Sequence, residues 1–157
     1  MVRIREALSV EDVEEVRELF REYQAAIGVD LCFQGFAEEM ASLPGNYARP
    51  LGRLLLAAEG ETVLGVVALR PLHGGDCEMK RLYVRPAGRG KGVGRLLAQT
   101  VLHEARVQRY GRIVLDTLPM MGEAQALYRS LGFVEIAPYY DNPIPGAKYM
   151  ALKLAVD

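Results

Sequence analysis

The residues richest in chemistry lie in one run, RPAGRGKGVGRLL, from Arg85 to Leu97. Glycine occupies every second position from Gly88 to Gly94, and Arg89, Lys91 and Arg95 are threaded among them. A residue without Cβ lets a ligand approach the backbone closely. The first N–H groups of a helix lack intrahelical partners and carry partial positive charge. A strand, a glycine loop and a helix start, in that order, form a cradle for phosphate. Two phosphate motifs are excluded by spacing. No lysine is followed by Ser or Thr in the frame G-x-x-x-x-G-K-[ST]. A dinucleotide fingerprint fails because position 93 is Val and position 95 is Arg. What remains is R-x-x-G-x-G, carried by Arg89, Gly92 and Gly94.

Other groups able to act on a proton or a ligand are spread along the chain. Glu78 lies eleven residues before Arg89, Asp116 near the end of RIVLDT, and Tyr128 in ALYRSLGF. APYYDNPIPGAKYM supplies Tyr139, Tyr140 and Asn142 in a proline-rich loop, a usual place for ligand contacts. Phe33 and Tyr47 are candidates for the opposite wall of such a ligand site. Arg49, Arg53 and Arg70, mixed with these tyrosines, would tolerate a carboxylate. His73 and His103 stand alone and read as surface or core residues. Cys32 and Cys77 have no partners at metal spacing, so no metal is expected.

These residues need a scaffold. The chain has 157 residues, which suits a single domain over 1–157. A net charge of −1 and a pI near 6.2 give no basic excess, so nucleic acid is not an expected partner. Two cysteines fit a reducing compartment. The N-terminus lacks the apolar stretch of a signal peptide, and no apolar run is long enough to span a bilayer. A cytoplasmic protein without a membrane partner is the expectation.

Periodicity then places the elements. Val2 to Ala7 alternates as a strand, and Ser9 caps a helix whose apolar stripe is Val13, Val16, Leu19, Phe20 and Tyr23, ending near Gly28. The acidic residues of that helix read as a solvated face. Phe33 to Met40 suggests a second, shorter helix stopped at Pro44-Gly45. Arg53–Ala58 and Val63–Leu69 form a hairpin, and Cys77–Val84 a fourth strand ended by Pro86. Strict alternation puts Glu78, Lys80, Leu82 and Val84 on one face, and Cys77, Met79, Arg81 and Tyr83 on the other. A helix from about Gly92 to Tyr110 follows, with Gly111 as its C′ residue. RIVLDT is a strand, Met120–Leu131 a helix closed by Gly132, and FVEI and KYMALKL the last strands. The order is β-α-α-β-β-β-α-β-α-β-β, an α/β domain on a mixed sheet.

LYVRPAGRGKGVGRLL resembles the acyl-CoA-binding motif of the GNAT N-acyltransferase superfamily. AQALYRSLGFVEI is similar to that family's second signature, and the order of elements matches. The resemblance covers nearly the whole chain. It implies a mixed, mostly antiparallel seven-stranded sheet flanked by about four helices. It also implies acetyl-CoA as co-substrate, an enzyme that acetylates an amine, and a fourth strand splayed from the fifth. The coenzyme contacts it implies are Leu82, Tyr83, Val84, Arg89, Gly90, Lys91, Gly92, Val93, Gly94 and Arg95. Many members carry an Asn seven residues before the family's Tyr; here that position is Met121, which puts a polar contact to the pantetheine arm in doubt.

Direct transfer poses two proton problems. An alkyl ammonium with a pKa of about 10.4 is neutral about once in 10³ at pH 7, a deficit of about 4 kcal/mol. A carboxylate can take that proton, and a Tyr hydroxyl can protonate the leaving thiolate. The resemblance assigns the base to Glu78, with Asp116 as rival, and the acid to Tyr128. The expected acceptor is a small amine such as an amino acid or polyamine, with Tyr139, Tyr140 and Asn142 facing Phe33 and Tyr47. A protein or peptide acceptor, or a non-catalytic acyl-CoA-binding regulator, are the competing expectations. The resemblance also allows a homodimer.

Overall fold

Ser9 starts the first helix as its spacing predicts: its Oγ accepts the Asp12 N–H at 3.0 Å, and Glu11 and Asp12 fill the positive first turn. Gly28 ends it in the left-handed region at φ 66°. In this computed structural model, residues 1–31 and 34–154 are described. The strands are β1 (Val2–Glu6), β2 (Arg53–Glu59), β3 (Thr62–Pro71), β4 (Asp76–Val84), β5 (Arg112–Thr117), β6 (Val134–Ile136) and β7 (Lys148–Lys153). The helices are α1 (Val10–Ile27), α2 (Phe36–Ser42), α3 (Val93–Val107) and α4 (Gly122–Ser130).

The seven strands form one sheet in the order β1-β2-β3-β4-β5-β7-β6. Every pair is antiparallel except β4 with β5. That parallel pair needs a crossover, and α3 supplies it. The sheet has an apolar core on each face. Leu97, Val101 and Ala105 of α3 pack with Cys77, Met79 and Ile113 on one side. Val16, Leu19 and Phe20 of α1 pack with Phe36, Met40, Leu54 and Val66 on the other. None of the described helices is long and apolar enough to cross a membrane.

Strict alternation fails in β4. Val66 pairs with Tyr83 and Ala68 with Lys80, so three steps on β4 oppose two on β3. The extra residue is a bulge, and Arg81 sits there at φ 61°. Cys77 and Met79 therefore face the α3 core, and so do Leu82 and Val84 beyond the bulge. Tyr83 packs on the α1 side, and Lys80 reaches Gln34 beside α2. The helix stop also differs from expectation. Arg109, not Gly111, takes the left-handed position after α3, at φ 63°. The N–H of Tyr110 then reaches Ala105 O and that of Arg109 reaches Arg106 O, a Schellman closure. Gly132 closes α4 at φ 101°, as predicted. The acidic face of α1 is not only solvated: Arg85 at the end of β4 holds Glu22 at 2.8 Å and Glu15 at 2.9 Å.

Candidate active site

The site begins where the sheet parts. β4 and β5 pair only at Asp76–Arg112, Cys77–Ile113 and Glu78–Val114. Past that ladder the strands splay and leave a cleft of about 720 Å³. Leu82, Tyr83 and Val84 line one side, Leu115 and Asp116 the other, and the glycine loop and the start of α4 close the end. This size suits a drug-sized ligand.

The glycines act differently from one another. Gly90 and Gly92 sit at φ 78° and 72° with open space where a Cβ would go, so the turn needs their backbone freedom. At Gly88 a Cβ would lie 3.0 Å from Leu64 Cβ, so its smallness serves packing. Gly94 lines the cleft in the first turn of α3. The Leu96 N–H reaches Gly92 O at 3.1 Å. By helix geometry the N–H groups of Val93, Gly94 and Arg95 then have no intrahelical partner and suit a pyrophosphate. Arg89 lines the cleft. Lys91 instead pairs with Glu59 at 2.8 Å, and Arg95 donates to Ser130 Oγ at 2.8 Å.

Tyr128 lies on the cleft wall, buried, with its ring 5.7 Å from Phe133. Burial pushes its hydroxyl well above the usual tyrosine value, so it holds its proton at neutral pH. Met121, ahead of α4, also lines the cleft and accepts the Thr117 hydroxyl at its Sδ. The neighbouring wall is thus thioether where the resembling motif carries an amide.

The two carboxylates stand in different places. Glu78 is fully buried and absent from the cleft wall. Its Oε1 accepts Arg70 at 2.7 Å and its Oε2 accepts the Tyr139 hydroxyl at 2.5 Å. Asp116 is on the wall. Its Oδ2 accepts the Tyr140 hydroxyl in a short bond and the Asn142 amide at 2.9 Å. Neither bond uses Oδ1. Gln34 donates to the Tyr140 hydroxyl at 2.9 Å. Asn142 in turn receives the Ile144 N–H on its Oδ1 and donates its own N–H to the Tyr149 hydroxyl, both at 2.9 Å. The rings of Tyr139, Tyr140 and Tyr149 pack mutually at centroid distances of 5.4–5.7 Å. The β6–β7 loop is therefore held by its own hydrogen bonds, with Asn142 at the cleft and the two tyrosines behind the carboxylates.

Several expected acceptor residues lie elsewhere. Tyr47 is buried against Phe20 in the α1-side core, because the one-turn helix Gly45–Tyr47 folds it inward. Arg49 pairs with Glu6, and Arg53 bonds the Pro50 and Gly52 carbonyls. Of those three arginines only Arg70 approaches the site, as the partner of Glu78. Phe33 falls outside the described residues. His73 and His103 are exposed, and no group of metal-ligating side chains occurs among the described residues.

Sequence reasoning missed Lys80 and Gln34. Lys80 is buried on the cleft wall and donates to Gln34 Oε1 at 3.2 Å. Arg81 shares that acceptor at 2.7 Å and is itself paired with Glu39 at 3.0 Å. The available signal was a lysine in the middle of DCEMKRLYV, the strand that leads into the glycine loop.

A family model described as Acetyltransferase (GNAT) family matches residues 13–133. An uncharacterized N-acetyltransferase of Schizosaccharomyces pombe is 42% identical over 147 residues, covering 92% of this chain and 90% of that protein. The fold overlays a GNAT-family acetyltransferase of Staphylococcus aureus with a TM-score of 0.82 at 22% identity, over 99% of this chain and 100% of that one. It also overlays a Salmonella typhimurium protein solved with acetyl-CoA, with a TM-score of 0.70 at 23% identity, over 100% of this chain and 96% of that one.

Proposed function

Because the chain belongs to the GNAT acetyltransferase family, we propose that it transfers the acetyl group of acetyl-CoA to the primary amine of a small molecule, using Asp116 as base and Tyr128 as acid. One observation carries the reading. Asp116, with an oxygen its neighbours leave uncommitted, and Tyr128, buried and fully protonated, line the same cleft beside a glycine-loop helix start.

The glycine loop supports the donor side. The N–H groups of Val93, Gly94 and Arg95 and the side chain of Arg89 suit the pyrophosphate, and the splayed strands leave room for the pantetheine arm. Bound there, acetyl-CoA supplies an activated acyl carbon on a sulfur leaving group. On the acceptor side, Asp116 Oδ1 takes the proton of the incoming ammonium. The freed amine nitrogen forms a bond to the acyl carbon, and the carbon–sulfur bond breaks. Tyr128 gives its proton to the departing thiolate, whose pKa is like that of a cysteine, about 8.5, and the second proton that the nitrogen sheds on becoming an amide restores the Tyr128 hydroxyl. The transfer is direct, so no covalent enzyme intermediate is required.

Access decides between the carboxylates. Both oxygens of Glu78 are occupied, one by the Arg70 guanidinium and the other by the Tyr139 hydroxyl. Glu78 therefore fixes Tyr139, and through its ring Tyr140 and Tyr149, rather than meeting the amine. This assignment departs from the resemblance, which points to Glu78.

Free-thiol release from acetyl-CoA across amino acids, polyamines and lysine peptides tests the reading. Acceptor-dependent thiol release, with the acetylated amine identified by mass, is the expected result. Folded protein that binds coenzyme A and releases thiol with none of these acceptors would count against a small amine.

A further inference from the structure

Lys80 raises a question that the reaction leaves open. The residue is 8% exposed and lies on the cleft wall. An ammonium has three donors, and Gln34 Oε1 takes one at 3.2 Å. Among the described residues no carboxylate lies within 4.0 Å of it. Glu78 is held by Arg70 and Arg81 by Glu39, and the Asp116 carboxylate, bonded to the neutral Tyr140 and Asn142, makes no ion pair with Lys80 among the described residues. A buried ammonium with no carboxylate in direct contact is costly. Burial lowers the Lys80 pKa below its usual value, although Glu78 and Asp116 act from a distance to raise it. Such a group is poised for an anion that arrives with a ligand.

The direction of the side chain says which ligand. Lys80 precedes the bulge and points to the α1–α2 side, where Gln34 and Tyr140 meet. The glycine loop lies past the C-terminal end of β4, beyond the bulge at Arg81. The anion is therefore on the acceptor, not among the phosphates of the donor. Gln34, Lys80, Asp116 and Asn142 together line this part of the cleft.

We propose that the acceptor is an amine bearing a carboxylate, an α-amino acid or an amine of similar build, whose carboxylate is held by Lys80 while Asp116 faces its amine. The inference rests on the transferase reading of the same cleft and deepens it. Lys80 is a specificity residue: it binds the acceptor and takes no proton from it. The Gln34 carbonyl oxygen, shared with Arg81, keeps the ammonium in place before the ligand arrives.

The test compares L-amino acids with their carboxamides as acceptors, in the wild type, Lys80→Gln and Lys80→Arg. The carboxamide has the less basic amine, which works against the expected preference. The wild type should favour the acid by at least about tenfold in kcat/KM, the size of one charge-assisted hydrogen bond. Lys80→Gln should remove that preference by raising KM for the acid, leaving the amide little changed. Lys80→Arg should restore part of it. Equal use of acid and amide by the wild type, or an equal loss on both in Lys80→Gln, overturns the inference.

A second measurement needs no turnover. With coenzyme A bound, calorimetric titration of N-acetyl amino acids and their amides reads the carboxylate contact directly. Binding of the acids that Lys80→Gln abolishes, in protein that transfers no acetyl group, keeps the carboxylate site and defeats the transferase reading. Transfer without any preference for acids keeps the transferase reading and defeats the carboxylate site. Failure to bind either series overturns the inference. Circular dichroism and coenzyme A binding establish that each variant is folded.

Discussion

Replacing each carboxylate in turn tests the argument that access to the cleft selects the base. Asp116→Asn removes the proton acceptor and preserves the shape. At pH 7 the deficit of neutral amine is about 4 kcal/mol. A positioned base is worth about 10²–10⁴ in rate, or roughly 3–5 kcal/mol at about 1.36 per factor of ten. We expect kcat to fall by that factor with the Kd for coenzyme A unchanged, because the glycine loop is untouched. The Asn oxygen can still accept the Tyr140 hydroxyl, so the structural cost is about 1–2 kcal/mol, the loss of charge from two hydrogen bonds. Glu78→Gln behaves in the opposite way. Arg70 is 33% exposed on its side of the pair and regains some water, whereas the Glu78 side is fully buried. The expected loss is about 2–3 kcal/mol of stability, a drop in Tm of about 4–12 °C, and less than a tenfold change in kcat. Steady-state thiol release at 25 °C and thermal denaturation by circular dichroism read the two quantities separately. If Glu78→Gln loses a hundredfold in kcat and Asp116→Asn stays within tenfold of wild type, the access argument is wrong and the proton reaches Glu78 through Tyr139.

Other expectations follow from the same geometry. Tyr128→Phe should lower kcat about ten- to hundredfold with coenzyme A affinity intact; single-turnover kinetics and titration separate the effects, and a rate equal to wild type removes Tyr128 from the chemistry. Gly92→Ala meets no clash but must hold φ near 72°, which costs about 1–2 kcal/mol; it should lower Tm and weaken coenzyme A binding, and an unchanged Tm would show that the loop relaxes. Lys80→Met should stabilise the protein. The Lys80 pKa is lowered on folding from 10.5, so the unfolded chain binds the extra proton and folding is penalised below the folded-state pKa. The gain from Lys80→Met should be full there and fade as pH rises toward 10.5; denaturant titrations across that range that show no such fading would refute it.

The scaffold was largely legible because its signals are local. Ser9, Gly28 and Gly132 mark helix ends by chemistry within one turn. The expectation of a phosphate site at the glycine loop likewise rests on residues within one short run. What stayed hidden depended on pairing over distance. The bulge at Arg81 puts a residue other than glycine in the left-handed region, supported by Glu39 from α2, and no pattern within β4 reveals it. Arg70 neutralises Glu78 because β3 and β4 place them opposite each other, a fact of register. Asn142 and Tyr140 reach Asp116 only because β7 runs beside β5, with Tyr149 across from Asp116. Tyr47 looked available in a loop and was claimed by the core.

The short ladder between β4 and β5 has a mechanical consequence. The sheet is two half-sheets, β1–β4 and β5–β7–β6, stitched by three residue pairs and braced by α3. Native-state hydrogen exchange should see two cooperative units that open about that seam. Amides from Met79 to Val84 that face the gap exchange fastest within their unit. A ligand lying along the gap replaces the missing rungs and joins the halves. If the coenzyme lies there as proposed, it is a structural member of the sheet as well as a reactant, and each turnover would remove and restore a strand's worth of bonding.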